Sequence, residues 1–488
     1  MKKSLSRIIA LLMTAALLAV ALAACGGTTA SSSSAASSSS AAPSSSAASS
    51  SSAASSSAAS SSSAASSSSA ASSLLGTKDV TITFWHCASD EAGTLMTKYI
   101  DEFNKTNKYR ITVNAIYQGQ YSDATTMLNT ILSAKNYTEL PDAMQIDATG
   151  KVMYSTSGKA YTVDDALAAH PDDKLLSGLL TAALANWQYG GKQLGLPFAT
   201  STTVTYYNND LLKKAGWTSA PDNFSDVIDL YADMQKAGMT QKVLQAVPNT
   251  PTLANWLGQI GSYVVDQKNG SDGTATKLVC IDNGALAKFL TAWKAMYDAG
   301  ALMNENSSVD SFVAGDVALM TSSSSALTSV LSKVGTNFEV GVSKYLRVND
   351  TASHGASVSG SCVVMFDSGD ELRKEAAWCF LQYLASAEVQ SDFAAGTGYI
   401  PAASASVGLE PYKTTEANKP QYKVGREQLL KTPEAMRSVT IGPSKDFYYA
   451  IMQGCSDMLA NNESVSDAVA TLNDSLSTLL TEYARNNK

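Results

Sequence analysis

Residues 26–73 are almost wholly serine and alanine, with Pro43 the sole rigid element. A stretch of that composition cannot bury a core, so folding is confined to the chain that follows it. As a flexible coil of about fifty residues it has an r.m.s. span of roughly 40 Å and reads as a tether. Serine competes for backbone hydrogen bonds, which disfavours the alternative of an alanine-rich helical spacer. Ahead of the tether, Lys2, Lys3 and Arg7 introduce an apolar run over residues 8–23, and Leu22-Ala23-Ala24 leads into Cys25. A positive leader, an apolar segment and a small-residue cleavage site make a secretory signal. The competing reading is a membrane-spanning helix, but the run is at the short limit for a hydrocarbon core about 30 Å thick.

The four residues ending in Cys25 resemble a bacterial lipoprotein signal. That resemblance implies a signal over residues 1–24, cleavage before Cys25, and acyl chains on the Cys25 thiol at the head of a disordered tether over residues 25–75. Two or more chains anchor stably, since each buried methylene contributes about 0.8 kcal/mol. The expected location is the outer face of the bacterial cytoplasmic membrane, lipid-anchored and extracellular. A long tether suits the thick wall of a Gram-positive envelope.

Beyond the tether, roughly four hundred residues are too many for one ordinary core and suit two domains. Hydrophobic residues make up 45% of the chain, and the formal net charge of -8 argues against a nucleic-acid partner, which asks for a basic face. Cys87, Cys280, Cys362, Cys379 and Cys455 have no metal-like spacing, and buried free thiols are the expectation in a domain of this size.

Strand and helix patterns alternate. Val80, Ile82 and Phe84 alternate with polar residues; Leu95, Met96, Tyr99, Ile100 and Phe103 share a helical face; Ile111, Val113 and Ala115 alternate again. Strand, helix and strand in close succession predict a βαβ unit and a parallel sheet with helices on its faces. Further strands are expected at Ala143, Met144 and Ile146, at Phe338, Val340 and Val342, and over 362–366. Helical periodicity covers 285–297, stopped by Gly300, and 371–384.

Catalytic constellations are scarce. None of His86, His170 and His354 is followed by glutamate, so the zinc-protease helix motif is missing. There is no Gly-x-Ser-x-Gly elbow, and the Gly-Lys pairs at Gly150, Gly158 and Gly191 lack the rest of a phosphate loop. The neighbouring carboxylates Asp90-Glu91 and Asp164-Asp165 suit solvated helix ends. His86 stands at the carboxyl end of the first strand, where ligands bind in open α/β sheets, and equally suits a structural imidazole. No catalytic residue, metal ligand or cofactor is expected.

Ile82-Thr83-Phe84-Trp85-His86, then Glu102-Phe103-Asn104, then Tyr117-Gln118-Gly119-Gln120-Tyr121 resemble the opening of the family 1 extracellular solute-binding proteins of ABC importers. Leu196-Pro197-Phe198-Ala199-Thr200-Ser201-Thr202 running into Tyr206-Tyr207-Asn208-Asn209-Asp210 resembles that family's crossing between lobes. Gly315-Asp316-Val317-Ala318-Leu319-Met320, Trp378-Cys379-Phe380-Leu381 and Gly396-Thr397-Gly398-Tyr399-Ile400-Pro401 match later landmarks in order.

The resemblance implies an α/β fold of the two-lobed, type II periplasmic-binding-protein kind, with a ligand cleft between lobes and hinge-crossing strands. The expected division is lobe 1 over 76–202 and 325–360 and lobe 2 over 203–324 and 361–488. It also implies capture of a carbohydrate or a sugar or polyol phosphate by lobe closure, and delivery by a monomer to ABC permease and ATPase subunits. The nearest likeness is to the glycerol-3-phosphate-binding branch. On that likeness the ligand residues fall on Tyr121, Asp147, Ser201, Ser323 or Ser324, Gly360 and Tyr399, with Lys445 where the branch has its phosphate-side arginine. Of the tryptophans lining that branch's cleft, only Trp256 has a counterpart, and lysine lacks arginine's bidentate fork, so a neutral mono- or oligosaccharide or a glycerophosphodiester stands beside glycerol-3-phosphate. Each position also has a plainer use: Tyr121 suits a packing residue at a helix start, Asp147 a helix cap, Lys445 a surface charge. Two other classes share the leader and tether. A tethered glycoside hydrolase needs two carboxylates facing one cleft, and a surface sugar receptor works without a permease.

Overall fold

The computed structural model describes residues 75–433 and 436–486; the signal, Cys25 and the tether up to residue 74 lie outside the described residues. The first βαβ unit forms as the periodicity predicts. Strand β1 (Val80–His86) pairs in parallel with β2 (Ile111–Tyr117) along its whole length, and the helix Asp90–Thr106 between them buries Met96, Tyr99, Ile100 and Phe103. β3 (Ala143–Ile146) lies on the other side of β1, also parallel.

After the short β4 (Ala160–Tyr161) and a hairpin of β5 (Gln188–Tyr189) and β6 (Lys192–Gln193), the sheet changes character. β7 (Leu196–Asn208) is thirteen residues long and serves two neighbourhoods. Its first half pairs antiparallel with β12 (Val358–Phe366), from Leu196 opposite Val363 to Thr202 opposite Val358. Its second half pairs antiparallel with β10 (Val317–Ser323) and β11 (Val340–Ser343). β8 (Lys242–Gln245) and β9 (Leu302–Met303) extend that side in parallel. The strand order β2-β1-β3-β12-β7-β10-β8-β9 therefore makes a mixed sheet, and the expectation of a parallel one holds only towards its two ends.

β7 is the crossing strand, and the cores fall on either side of it. Phe84, Phe103, Phe198, Met365, Phe380 and Phe393 share one cluster; Trp256, Phe289, Trp293, Tyr345, Phe447 and Leu476 share another. The sequence-based division of lobes is corrected here for the later segments. Leu327, Val330, Val334 and Val340 pack with Val204, Tyr206 and Met320 in the second lobe, because β11 pairs with the far half of β7. Residues from Val363 to Phe393 pack with the first lobe, because β12 pairs with β3 as well as with the near half of β7. The chain returns to the second lobe after Ala403: Tyr412 and Tyr422 join the Val204 cluster, and the helices Ser444–Ala460 and Val465–Asn486 bury Ile451, Met458, Leu472 and Leu476 in the cluster that holds Trp256.

The five described cysteines carry free thiols, with Cys280, Cys362 and Cys455 buried. The acidic pairs sit where solvated helix ends were expected. Asp90 and Glu91 open the helix Asp90–Thr106, and Asp165 forms a reciprocal cap with Thr162 at the helix Val163–Ala169.

Candidate functional site

Tyr121 is delivered by a tight turn. Gly119 has φ +79°, and a Cβ there would stand 2.7 Å from an Asp123 carboxylate oxygen, so only glycine fits the approach. That same carboxylate accepts the Gln120 amide at 2.9 Å and starts the helix Tyr121–Ala134, leaving Tyr121 on its first turn. The Tyr121 hydroxyl accepts from Gln145 Nε2 at 3.2 Å, and Gln145 Nε2 also donates to Ser361 Oγ at 2.7 Å. Gln145 Oε1 accepts the Cys87 amide at 3.0 Å. Gln145 thus ties the carboxyl ends of β1 and β3 to β12 and to Tyr121. Sequence reasoning missed it, although a glutamine inside the buried strand Ala143–Ile146 is a legible signal.

Asp147 follows directly. It caps the turn Ala148–Gly150 through Thr149, whose amide and hydroxyl reach it at 3.0 and 2.6 Å, so the helix-cap use foreseen for it is realised. Burial raises its pKa above the ordinary carboxylate range, and those hydrogen bonds hold it back. Its charge, with burial as the larger cause, pushes the Cys87 thiol up to about 12.

The crossing segments supply the other side. Ser201 Oγ and Ser359 Oγ are 3.0 Å apart across β7 and β12. Gly360, at φ +93°, sits at a register shift, and a Cβ there would fall 1.9 Å from the Ala199 carbonyl oxygen; its role is to let two crossing backbones touch. Ser324 Oγ accepts the Thr202 amide at 3.3 Å, and Tyr206 donates to the Ser323 carbonyl at 2.7 Å, so the serine turn is fastened to β7. Ser323 Oγ is 2.8 Å from Ser325 Oγ. Tyr399 lies face to face on Phe393, with ring centroids 5.3 Å apart. Burial raises its hydroxyl pKa, and a hydrogen bond with Ser325 opposes that. Tyr121 is raised by burial first and by Tyr399 second, with Ser361 opposing.

Tyr121, Asp147 and Tyr399 therefore meet around Gln145, Ser361 and Ser325, with groups from both lobes. Ser201 and Gly360 frame them on the crossing strands β7 and β12, and Ser323 and Ser324 at the end of β10 and the turn after it. Two nominated residues stand elsewhere. Trp256 is fully buried: its Nε1 donates to the Leu346 carbonyl at 3.2 Å, and its ring stacks on Phe289 and Tyr345 at 5.3 and 5.2 Å. It is a core residue of the second lobe and not a stacking wall. Lys445 is exposed on the first turn of the helix Ser444–Ala460, and no hydrogen bond or ion pair among the described residues joins it to the Tyr121 group. His86 is 8% exposed and packs against the Phe84 and Tyr117 rings, and burial lowers its pKa.

Two lobes joined by crossing strands, with tyrosines, serines and a carboxylate gathered where they meet, define a protein that closes on a small polar solute. Residues 98–420 match the family described as bacterial extracellular solute-binding protein, and the chain belongs to that family. Its sequence is 25% identical over 360 residues to the sn-glycerol-3-phosphate-binding periplasmic protein UgpB of Yersinia pestis bv. Antiqua, covering 72% of this chain and 81% of the relative. In fold it is similar to UgpB from Mycobacterium tuberculosis, solved in complex with glycerophosphocholine: TM-score 0.68, 18% identity, 82% of this chain and 98% of that one. The cyclic alpha-maltosyl-1,6-maltose binding protein from Arthrobacter globiformis gives a TM-score of 0.69 at 17% identity, covering 83% and 100%.

Proposed function

We propose that this chain is the substrate-binding lipoprotein of an ABC importer, anchored through Cys25, which captures a hydroxyl-rich carbohydrate or polyol between its lobes and passes it unchanged to a membrane permease as a monomer. The observation that carries this reading is the cluster of Tyr121, Gln145, Ser361, Ser325 and Tyr399, in which neutral donors and acceptors from both lobes converge beside one carboxylate. Such groups match sugar hydroxyls, and closure buries them against tyrosine faces. A phosphate would meet Asp147, a like charge. The second reading, a polyol phosphate such as glycerol-3-phosphate or a glycerophosphodiester, is favoured by the likeness to the glycerol-3-phosphate-binding relatives, and Lys445 is then the cation available near a helix start.

A thermal-shift panel on the ligand-stripped protein separates the two. Ligand at a hundredfold its Kd stabilises by about 2.7 kcal/mol, a visible shift. The proposal expects a response to neutral mono- or oligosaccharides or polyols that Tyr121→Phe reduces. A response to phosphates alone, lost in Lys445→Ala, transfers the assignment to the second reading. No response to either class refutes both.

A further inference from the structure

The sheet ends at β2, and the free edge of that strand is closed over one half and open over the other. Its register with β1 turns the amides and carbonyls of Thr112, Asn114 and Ile116 inwards: Val80 donates to the Arg110 carbonyl at 3.2 Å and Gln118 to the His86 carbonyl at 2.9 Å, at the two ends of the pairing. The backbone groups of Ile111, Val113, Ala115 and Tyr117 therefore point outwards, where a further strand would lie. Two of these residues are covered. Asn107 accepts the Ile111 amide at 3.0 Å and donates to the Ile111 carbonyl at 2.8 Å, and Asn104 does the same for Val113 at 2.7 and 3.1 Å. The two asparagine side chains take the place of a neighbouring strand, one way of keeping an edge from pairing.

That cover stops short of Ala115 and Tyr117, whose outward amides and carbonyls meet no hydrogen-bond partner among the described residues. A groove of about 730 Å³ runs beside them, lined by Ala115 and Tyr117 from the strand and by Asp90, Thr97 and Asp101 from the helix Asp90–Thr106. None of the candidate solute residues lines it. The exposed apolar side chains of β2 fall on the same half: Ile116 is 40% and Tyr117 51% exposed, while Ile111 and Val113 are buried.

Charge narrows what fits there. Asp90 and Asp101 are exposed and form no ion pair among the described residues, and the groove's lining holds no lysine or arginine. His86, also in the lining, is held below its usual pKa by burial and adds no charge near neutral pH. Outward backbone groups in strand geometry select an extended polypeptide, which returns an acceptor to each amide and a donor to each carbonyl. Side chains of an added strand alternate, so one set faces the helix with its two carboxylates and the other continues the exposed surface of Ile116. β2 itself has no basic residue, so a second copy paired edge to edge would supply no cation. We propose that the open half of β2 is a docking edge for an extended segment of a partner polypeptide in which basic and apolar side chains alternate. Its backbone extends the sheet at Ala115 and Tyr117, and its cations meet Asp90 and Asp101.

The test is calorimetric titration of the purified protein with three capped hexapeptides, together with amide hydrogen exchange along β2. The peptides are an alternating Lys-Val sequence, the same sequence with Glu for Lys, and the Lys-Val sequence N-methylated at every amide. The Lys-Val peptide should saturate at one per chain, with each of the others at least about tenfold weaker, because one lacks the charge and the other the amide donors. Exchange at Ala115 and Tyr117 should slow at saturation, while Ile111 and Val113, already bonded, stay as they are. Asp101→Lys, on an exposed helix position, should weaken the Lys-Val peptide at least about tenfold. Ala115→Pro should do the same, since it removes an outward amide that an edge strand can spare. The proposal is overturned if the Lys-Val peptide does not saturate, if either control binds as tightly, if Asp101→Lys binds like the parent, or if exchange at Ala115 is unmoved. Exchange at Ala115 that slows with rising protein concentration in the absence of peptide assigns the edge to a second copy and overturns it too.

Discussion

Gln145 is a polar side chain in a strand with no room for an unpaired one, and its hydrogen bonds tie the candidate ligand residue Tyr121 to Ser361 and to the Cys87 amide. Gln145→Leu strands those partners, so the variant should lose about 1–3 kcal/mol of stability in urea titration and bind the transported solute more weakly. Trp256 gives the opposite contrast. Surrounded by Phe224, Phe289, Trp293 and Tyr345, it supports the second lobe from inside. Trp256→Ala should cost about 3–5 kcal/mol, and at temperatures where the variant is folded its solute affinity should equal the parent's. A loss of affinity without loss of stability would return Trp256 to the ligand. Nothing in the sequence distinguished the two residues by type: an aromatic was expected among the ligand residues and lies in the second lobe's core, while a glutamine hidden among Ala143, Met144 and Ile146 bonds Tyr121, Ser361 and the Cys87 amide.

At the scale of elements, β7 and β12 do the joining, and two backbone features mark their contact: Gly360 at φ +93° and Ala199 at φ +51°. Gly360→Ala pushes a methyl into the Ala199 carbonyl and should destabilise by at least about 1–3 kcal/mol, read as a lower denaturation midpoint. The first βαβ unit was legible because its alternating strands and its amphipathic helix are short-range patterns. The directions of β7 and β12 were not, since near-continuous apolar runs such as Cys362 to Phe366 look alike in parallel and antiparallel pairing. Lobe membership after residue 325 depends on pairings across more than a hundred residues, which periodicity does not encode; this is why residues 325–360 and the segment from Val363 to Phe393 exchanged lobes. Lys151 opens the helix Lys151–Thr156 with its ammonium buried. Its pKa falls from 10.5 to about 8, so above about pH 8 the folded chain releases a proton that the unfolded chain keeps to near 10.5. Stability contributed by this residue should therefore rise with pH across that window. Lys151→Met removes the effect, and the difference between parent and variant in urea titrations at pH 7.5 and pH 10 checks the sign (test conditions of about those values).

At the scale of the whole molecule, two lobes with their own apolar clusters are joined by the crossing strands β7 and β12. The Trp256 cluster and the Phe84 cluster lie in different lobes, and the groups that meet at Tyr121, Ser325 and Tyr399 are polar, which suits lobes that part and rejoin about the crossing strands. Solute between them adds hydrogen bonds to both faces and shifts the population towards the closed form. The central claim, reversible capture by closure, is tested most directly by small-angle X-ray scattering of the ligand-stripped protein with and without the solute that gives the largest thermal shift. The expected result is a smaller radius of gyration with solute, full reversal on dialysis and chemically unchanged solute recovered from the dialysate. An unchanged radius at saturation, or a solute recovered cleaved, contradicts it.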